Sequence, residues 1–124
     1  MIPVIGIGID LVEIDRFRRV LERRPGVSRR LFTGYELDSL ARRADPVPGL
    51  AARFAAKEAV MKALGVGLGA VAFGDVEVRR LRSGAPELHL SGRAATLAGS
   101  KGVRAWSVSL THTARTASAV VVAS

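Results

Sequence analysis

Hydrophobic and polar positions alternate with period two near both ends of the chain and follow helical spacing between them. Ile5, Ile7, Ile9 and Leu11 alternate with Gly6, Gly8 and Asp10, which predicts a strand from about Val4 to Leu11. The isoleucines are expected to face the core, while the glycine face lets another backbone or a ligand approach closely. Asp10 ends that glycine face. Trp106-Ser107-Val108-Ser109-Leu110 alternates in the same way, and Thr116 to Val122 is strongly apolar. These read as two strands joined at His112-Thr113-Ala114-Arg115. Val76-Glu77-Val78 and Glu87 to Leu90 read as another pair, turning at Ser83-Gly84.

Between the strands the apolar positions follow the helical period. Asp15 is expected to cap a helix over Arg16–Arg24, with Phe17, Val20 and Leu21 as its stripe and Pro25-Gly26 as its stop. Thr33-Gly34-Tyr35-Glu36 matches a capping box, so a helix should run to about Arg43. Asp45-Pro46-Val47-Pro48-Gly49 reads as a breaker. The central helix is expected from Leu50 to Leu64, stopped by Gly65, with Gly65-Val66-Gly67-Leu68-Gly69 as a loop. Ser91 is expected to cap a short helix from Gly92 to Ser100.

The central helix carries the most informative charges. Arg53 stacks on Lys57 and Glu58 on Lys62, each four residues apart, beside a stripe of Leu50, Phe54, Met61 and Leu64. Ammonium, guanidinium and carboxylate groups together suit a site that holds phosphate and a metal ion. Asp10 and Glu58 are the metal candidates, because magnesium takes oxygen ligands from one or two carboxylates plus substrate phosphates. A turn acid at Asp10 and an exposed pair at Glu58–Lys62 are the plain alternatives. Arg53, Lys57 and Lys62 are candidate phosphate ligands, with a solvated face as the alternative. Glycines 65, 67 and 69 can turn N–H groups toward an anion or serve as a connector. His112 suits phosphate binding, proton transfer or a turn; His89 reads as structural. No Gly-x-Ser-x-Gly elbow, His-Glu-x-x-His or P-loop is present.

Composition adds a partner class. The 124 residues fit a single domain with a real core, and with no cysteine neither disulfides nor thiolate metal sites contribute. No apolar run approaches membrane-spanning length and the N-terminus lacks a signal-peptide pattern, so no membrane association and a cytoplasmic location are expected. The net charge is +8, and Arg16 to Arg30 hold seven arginines against one acid, Glu22. That imbalance points to an acidic partner.

Three segments together resemble one family. Gly6-Ile7-Gly8-Ile9-Asp10-Leu11-Val12-Glu13-Ile14, Arg53-Phe54-Ala55-Ala56-Lys57-Glu58-Ala59-Val60-Met61-Lys62-Ala63 and Trp106-Ser107-Val108-Ser109-Leu110-Thr111-His112-Thr113 are similar, in order, to the signatures of the holo-acyl-carrier-protein synthases. These are the small trimeric 4′-phosphopantetheinyl transferases. The resemblance implies an α+β fold, a compact antiparallel sheet packed with helices, assembled as a homotrimer with active sites between subunits. It implies magnesium-dependent transfer of 4′-phosphopantetheine from coenzyme A to a serine of apo acyl carrier protein, in fatty acid biosynthesis. Asp10 and Glu58 would bind the metal, and Glu58 and Lys62 would be catalytic. Arg53, Lys57, Lys62, Gly65, Ser109, Thr111 and His112 would surround coenzyme A. Arg16 matches a docking position for the acidic carrier protein, and Arg23 and Arg24 fit that role by charge. Ser107 departs from the pattern, since many members carry histidine there.

Two rivals come from other classes. A nucleic-acid-binding module fits the charge, but aromatic residues are only 5% of the chain, leaving few stacking platforms. A basic scaffold for a carrier protein would have no need of both Asp10 and Glu58.

Overall fold

The computed structural model describes residues 2–124. In chain order the elements are β1 (Gly6–Glu13), α1 (Ile14–Arg23), α2 (Val27–Leu31), α3 (Gly34–Leu40), α4 (Val47–Ala63), a 3-10 turn (Phe73–Asp75), β2 (Val76–Arg80), β3 (Pro86–Leu90), α5 (Gly92–Ser100), β4 (Trp106–His112) and β5 (Thr116–Ala123). The strands form two antiparallel sheets, ordered β1-β5-β4 and β2-β3. The architecture is α+β, as expected, but the expected single sheet is two. Among the described residues, no helix is long and apolar enough to cross a membrane.

Helix α4 is the centre of the core, and small residues put it there. Ala51, Ala52, Ala55, Ala56, Ala59 and Ala63 are all buried, as are Ala117, Ala119 and Ala123 on β5. Small side chains on both surfaces let helix and sheet approach closely, so α4 packs against β1, β5 and β4 together. A helix enclosed on several sides has no solvated face, so the predicted charged face of α4 is largely interior.

The same close approach reverses the predicted facing of β1. Gly6 and Gly8 point inward against α4, and Gly8 is buried. Ile5, Ile7, Ile9 and Leu11 point outward and are 41%, 63%, 60% and 68% exposed. Period two identifies the residues that share a face, not which face is covered. Here the alanine-rich helix admits only glycine opposite it. In the β1–β5–β4 register Ile7, Val122 and Ser107 align, as do Ile9, Val120 and Ser109, and Leu11, Ser118 and Thr111. The outer face of the sheet is therefore apolar along β1 and hydroxyl-lined along β4.

Helix boundaries differ from expectation for local reasons. Asp15 lies inside the first turn of α1 rather than at its cap, where Glu13 makes no side-chain bond. The unpredicted α2 follows Pro25-Gly26 and spans five residues. The Thr33–Glu36 capping box forms as predicted, with α3 ending at Leu40 instead of Arg43. Helix α4 starts at Val47, three residues early, because Pro48 sits where a first-turn proline costs no hydrogen bond. Asp45 accepts from the Val47 N–H at 3.1 Å and also grips Arg18 of α1 at 2.7 and 3.0 Å. Ser91 makes no side-chain cap on α5; a carboxylate oxygen of Asp75 accepts from the Ala94 N–H instead.

Candidate active site: a cleft with two carboxylates

Asp10 follows Gly8 on the inner face of β1, and Glu58 precedes Ala59 on α4. The strand–helix contact at Gly8 and Ala59 therefore brings the two acids onto one cleft of about 900 Å³. Its walls include Arg16, Phe17 and Val20 of α1, Phe54 one turn before Glu58, and Leu68, Phe73 and Thr116. Lys62, one turn after Glu58, donates to the Asp10 carboxylate at 3.1 Å and to the Ile9 carbonyl at 2.9 Å. Ser118 donates to the Asp10 carbonyl at 3.0 Å, tying β1 to β5 beneath the acid.

The electrostatics of this cluster favour an added cation. Partial burial raises the Glu58 carboxyl above its ordinary range, the Asp10 charge raises it further, and Lys62 opposes both. Asp10, Glu13 and Glu58 against Arg16 on the cleft and Lys62 beside it leave a net negative charge there. Two hard oxygen donors with open space beside them match the magnesium pattern, in which substrate phosphates and water complete the shell. Phe17 packs on Phe54 at 5.2 Å between ring centroids, and Phe54 stacks on Phe73 at 5.5 Å. The cleft thus joins a charged end to an aromatic wall. Sequence reasoning missed that wall. Phe54 was legible as one turn from Glu58, whereas nothing in the sequence linked Phe73 to the site.

The other predicted site residues lie elsewhere in a single chain. Lys57 is wholly buried, and it donates to Glu36 at 2.8 Å, to the Phe73 carbonyl at 3.0 Å and to the Val76 carbonyl. An ammonium has three protons, so Lys57 has none left for phosphate. Its predicted role as a phosphate ligand is corrected to a structural one. Glu36, also wholly buried, further accepts from the Thr33 and Val78 N–H groups. Burial lowers the Lys57 ammonium, with Glu36 opposing the shift.

Arg53 shares that side of α4 and is 4% exposed. It donates to the Gly49 carbonyl at 3.1 Å, and its Nε has no partner. Burial, then Arg43 and Arg80, lower its guanidinium, so three arginines crowd together with little acid to offset them. Gly65 ends α4 with φ of +71° and lies beside Lys62 and Lys101 in a smaller cleft. Ser109 and Thr111 lie on the outer face of β4, opposite to Asp10. His112 is exposed at the strand end, its Nδ1 3.2 Å from the Thr113 carbonyl oxygen. Arg23 and Arg24 are exposed at the end of α1. His89 is half-buried beside Glu87.

Comparison with known proteins decides the family. The model of the 4′-phosphopantetheinyl transferase superfamily matches residues 6–121. The chain belongs to the 4′-phosphopantetheinyl transferase superfamily. Within it, the holo-[acyl-carrier-protein] synthase of Streptomyces griseus is 50% identical over 120 residues, covering 97% of this chain and 98% of the relative. That of Streptomyces avermitilis is 52% identical, covering 97% of each. Among solved structures, the holo-[acyl-carrier-protein] synthase of Neisseria meningitidis superposes with a TM-score of 0.90 at 33% identity, covering 98% of this chain and 99% of that one. The Helicobacter pylori protein, solved in complex with coenzyme A, gives 0.82 at 32% identity, covering 95% and 99%. All three signature segments fall within the superfamily match. Ser107, the departure from pattern, is exposed on the outer sheet face.

Proposed function

We propose that the Asp10–Glu58–Lys62 cleft transfers the 4′-phosphopantetheine group of coenzyme A to a serine of apo acyl carrier protein, releasing adenosine 3′,5′-bisphosphate. The observation that carries this reading is the convergence of two carboxylates on one cleft, with Lys62 donating to one of them from beside it, in a chain with near full-length similarity to holo-[acyl-carrier-protein] synthases. The serine oxygen attacks the β-phosphorus, the bond to the α-phosphate oxygen breaks, and its electron pair leaves with the bisphosphate.

Asp10 and Glu58 would hold magnesium, which would supply positive charge to the diphosphate. Glu58, directly or through a water held by the metal, helps remove the serine proton. Lys62 stabilises charge on the departing bisphosphate. Arg53, Gly65, Ser109, Thr111 and His112 contact coenzyme A. Arg16, Arg23 and Arg24 dock the acidic carrier protein.

The active unit is a homotrimer with sites between subunits. Two observations support it. Ser109 and Thr111 lie on the sheet face opposite to Asp10 within one chain, so a site that joins them to Asp10 and Glu58 draws them from a second copy. The outer face of β1 also leaves Ile7, Ile9 and Leu11 more than half exposed, the kind of apolar patch that marks an interface.

The test is incubation with apo acyl carrier protein, coenzyme A and magnesium, read by mass spectrometry. A gain of one phosphopantetheine on the carrier serine is expected; an unmodified carrier would end the proposal. Sedimentation equilibrium should return three times the 13.1 kDa chain mass.

A further inference from the structure

At Gly6 and Gly8 the inner face of β1 lies closer to α4 than any side chain permits. A methyl group added at Gly8 would sit 1.8 Å from the Ala59 carbonyl oxygen, and one at Gly6 would sit 1.9 Å from that of Ala63. Neither glycine has a positive φ, so the requirement is for space and not for backbone freedom. Both neighbours are backbone atoms, so no rotamer change relieves the clash; only retreat of the strand does. Moving from 1.8 Å to the 3.0 Å that real Cβ contacts respect is a withdrawal of about 1.2 Å at Gly8.

Asp10 is the next inner-face position after Gly8, and Glu58 is the residue before Ala59. One backbone contact therefore registers both carboxylates. We propose that Gly8, backed by Gly6, is the spacer that sets the gap between the Asp10 and Glu58 carboxylates and so selects a small divalent cation. This rests on the metal reading of those two acids given above. Magnesium demands near-octahedral oxygen ligands at roughly 2.0–2.1 Å, whereas calcium accepts roughly 2.3–2.6 Å in looser geometry. Calcium's longer bonds and looser shell adapt to a widened gap better than magnesium's, so retreat of the strand disfavours magnesium first. Gly6 and Gly8 are positioning residues; they touch neither ion nor substrate.

The test is cation competition without turnover. Bound manganese is followed by electron paramagnetic resonance, with saturating coenzyme A and no carrier protein, while magnesium or calcium displaces it. The wild-type protein is expected to prefer magnesium. Gly8→Ala should weaken magnesium at least tenfold and calcium no more than about threefold, reversing the order. Gly6→Ala, at the first residue of β1 where the strand end can peel away, should fold and weaken magnesium about threefold with calcium unchanged. This second variant carries the test if Gly8→Ala fails to fold. Gly99→Ala, with open space around it, should keep the wild-type preference. An unaltered magnesium preference in folded Gly8→Ala or Gly6→Ala, or equal loss of both ions, overturns the spacer alone. A wild-type protein that binds no manganese removes the metal reading, and the spacer with it.

Discussion

Lys57 and Lys62 look alike in the sequence, five residues apart on one helix, yet the fold gives them opposite surroundings. Lys57 is enclosed between α3, β2 and the Phe73 turn, with every proton donated. Lys62 is about half exposed and holds one oxygen of Asp10 beside a cleft. On the first side of α4 a lysine meets one carboxylate, and the pair is neutral and closed. On the second, a lysine meets two carboxylates, and the cluster is negative and open. A complete set of partners serves the fold. An incomplete set facing a cleft is available for chemistry.

Breaking the closed side should have the largest effect. Lys57→Met leaves the Glu36 carboxylate buried and unpaired, and is expected to cost about 3–5 kcal/mol in urea unfolding. Adding Glu36→Gln to that variant should recover part of the loss, since much of the cost is the stranded charge. A loss near zero in Lys57→Met would mean that the two sides of α4 do not differ as described.

The open side should respond in activity and gain in stability. Glu58→Gln is expected to lower turnover by roughly 10²-fold or more with magnesium saturating, and Lys62→Ala by roughly 10²-fold. The native Glu58 carboxyl has a raised pKa, so the folded state keeps this proton at pH values where the unfolded chain has lost it. Native stability therefore falls as pH climbs from the ordinary glutamate value of 4.5 to the raised native value. Glu58→Gln should accordingly melt higher than wild type at neutral pH, with the advantage gone well below pH 4.5. Equal melting temperatures at neutral pH would deny Glu58 its strained setting.

The smallest effect belongs to the exposed arginines, which contribute to neither side. Arg23→Glu with Arg24→Glu should raise KM for the carrier protein several-fold and leave KM for coenzyme A unchanged. The defect should shrink at high salt, as expected of rim charges. An equal rise in both constants would refute a docking role.

Much of the fold was legible because local signals were strong. The Thr33–Glu36 capping box, the Gly65 stop, the alternation in β1 and β4 and the apolar run of β5 all have local causes. The early start of α4 was not read, because Pro46-Val47-Pro48 looks like a breaker unless its place in the first helical turn is known. Asp10 and Glu58 were legible as acids on a bare strand face and on a long helix. The facing of β1 was not, since alternation is silent on which face a helix covers, and isoleucine opposite glycine misleads. Lys57 was misread for a related reason. Its three acceptors are Glu36 and the Phe73 and Val76 carbonyls, none of which is near it in the chain.

The most direct test of the two-sided helix is a crystal grown with coenzyme A and manganese, with the ion located by its anomalous signal. The account predicts one strong peak held between the carboxylates of Asp10 and Glu58 and against the diphosphate, with Lys57 still closed on Glu36. A peak elsewhere, or a diphosphate seated on Lys57, would contradict it.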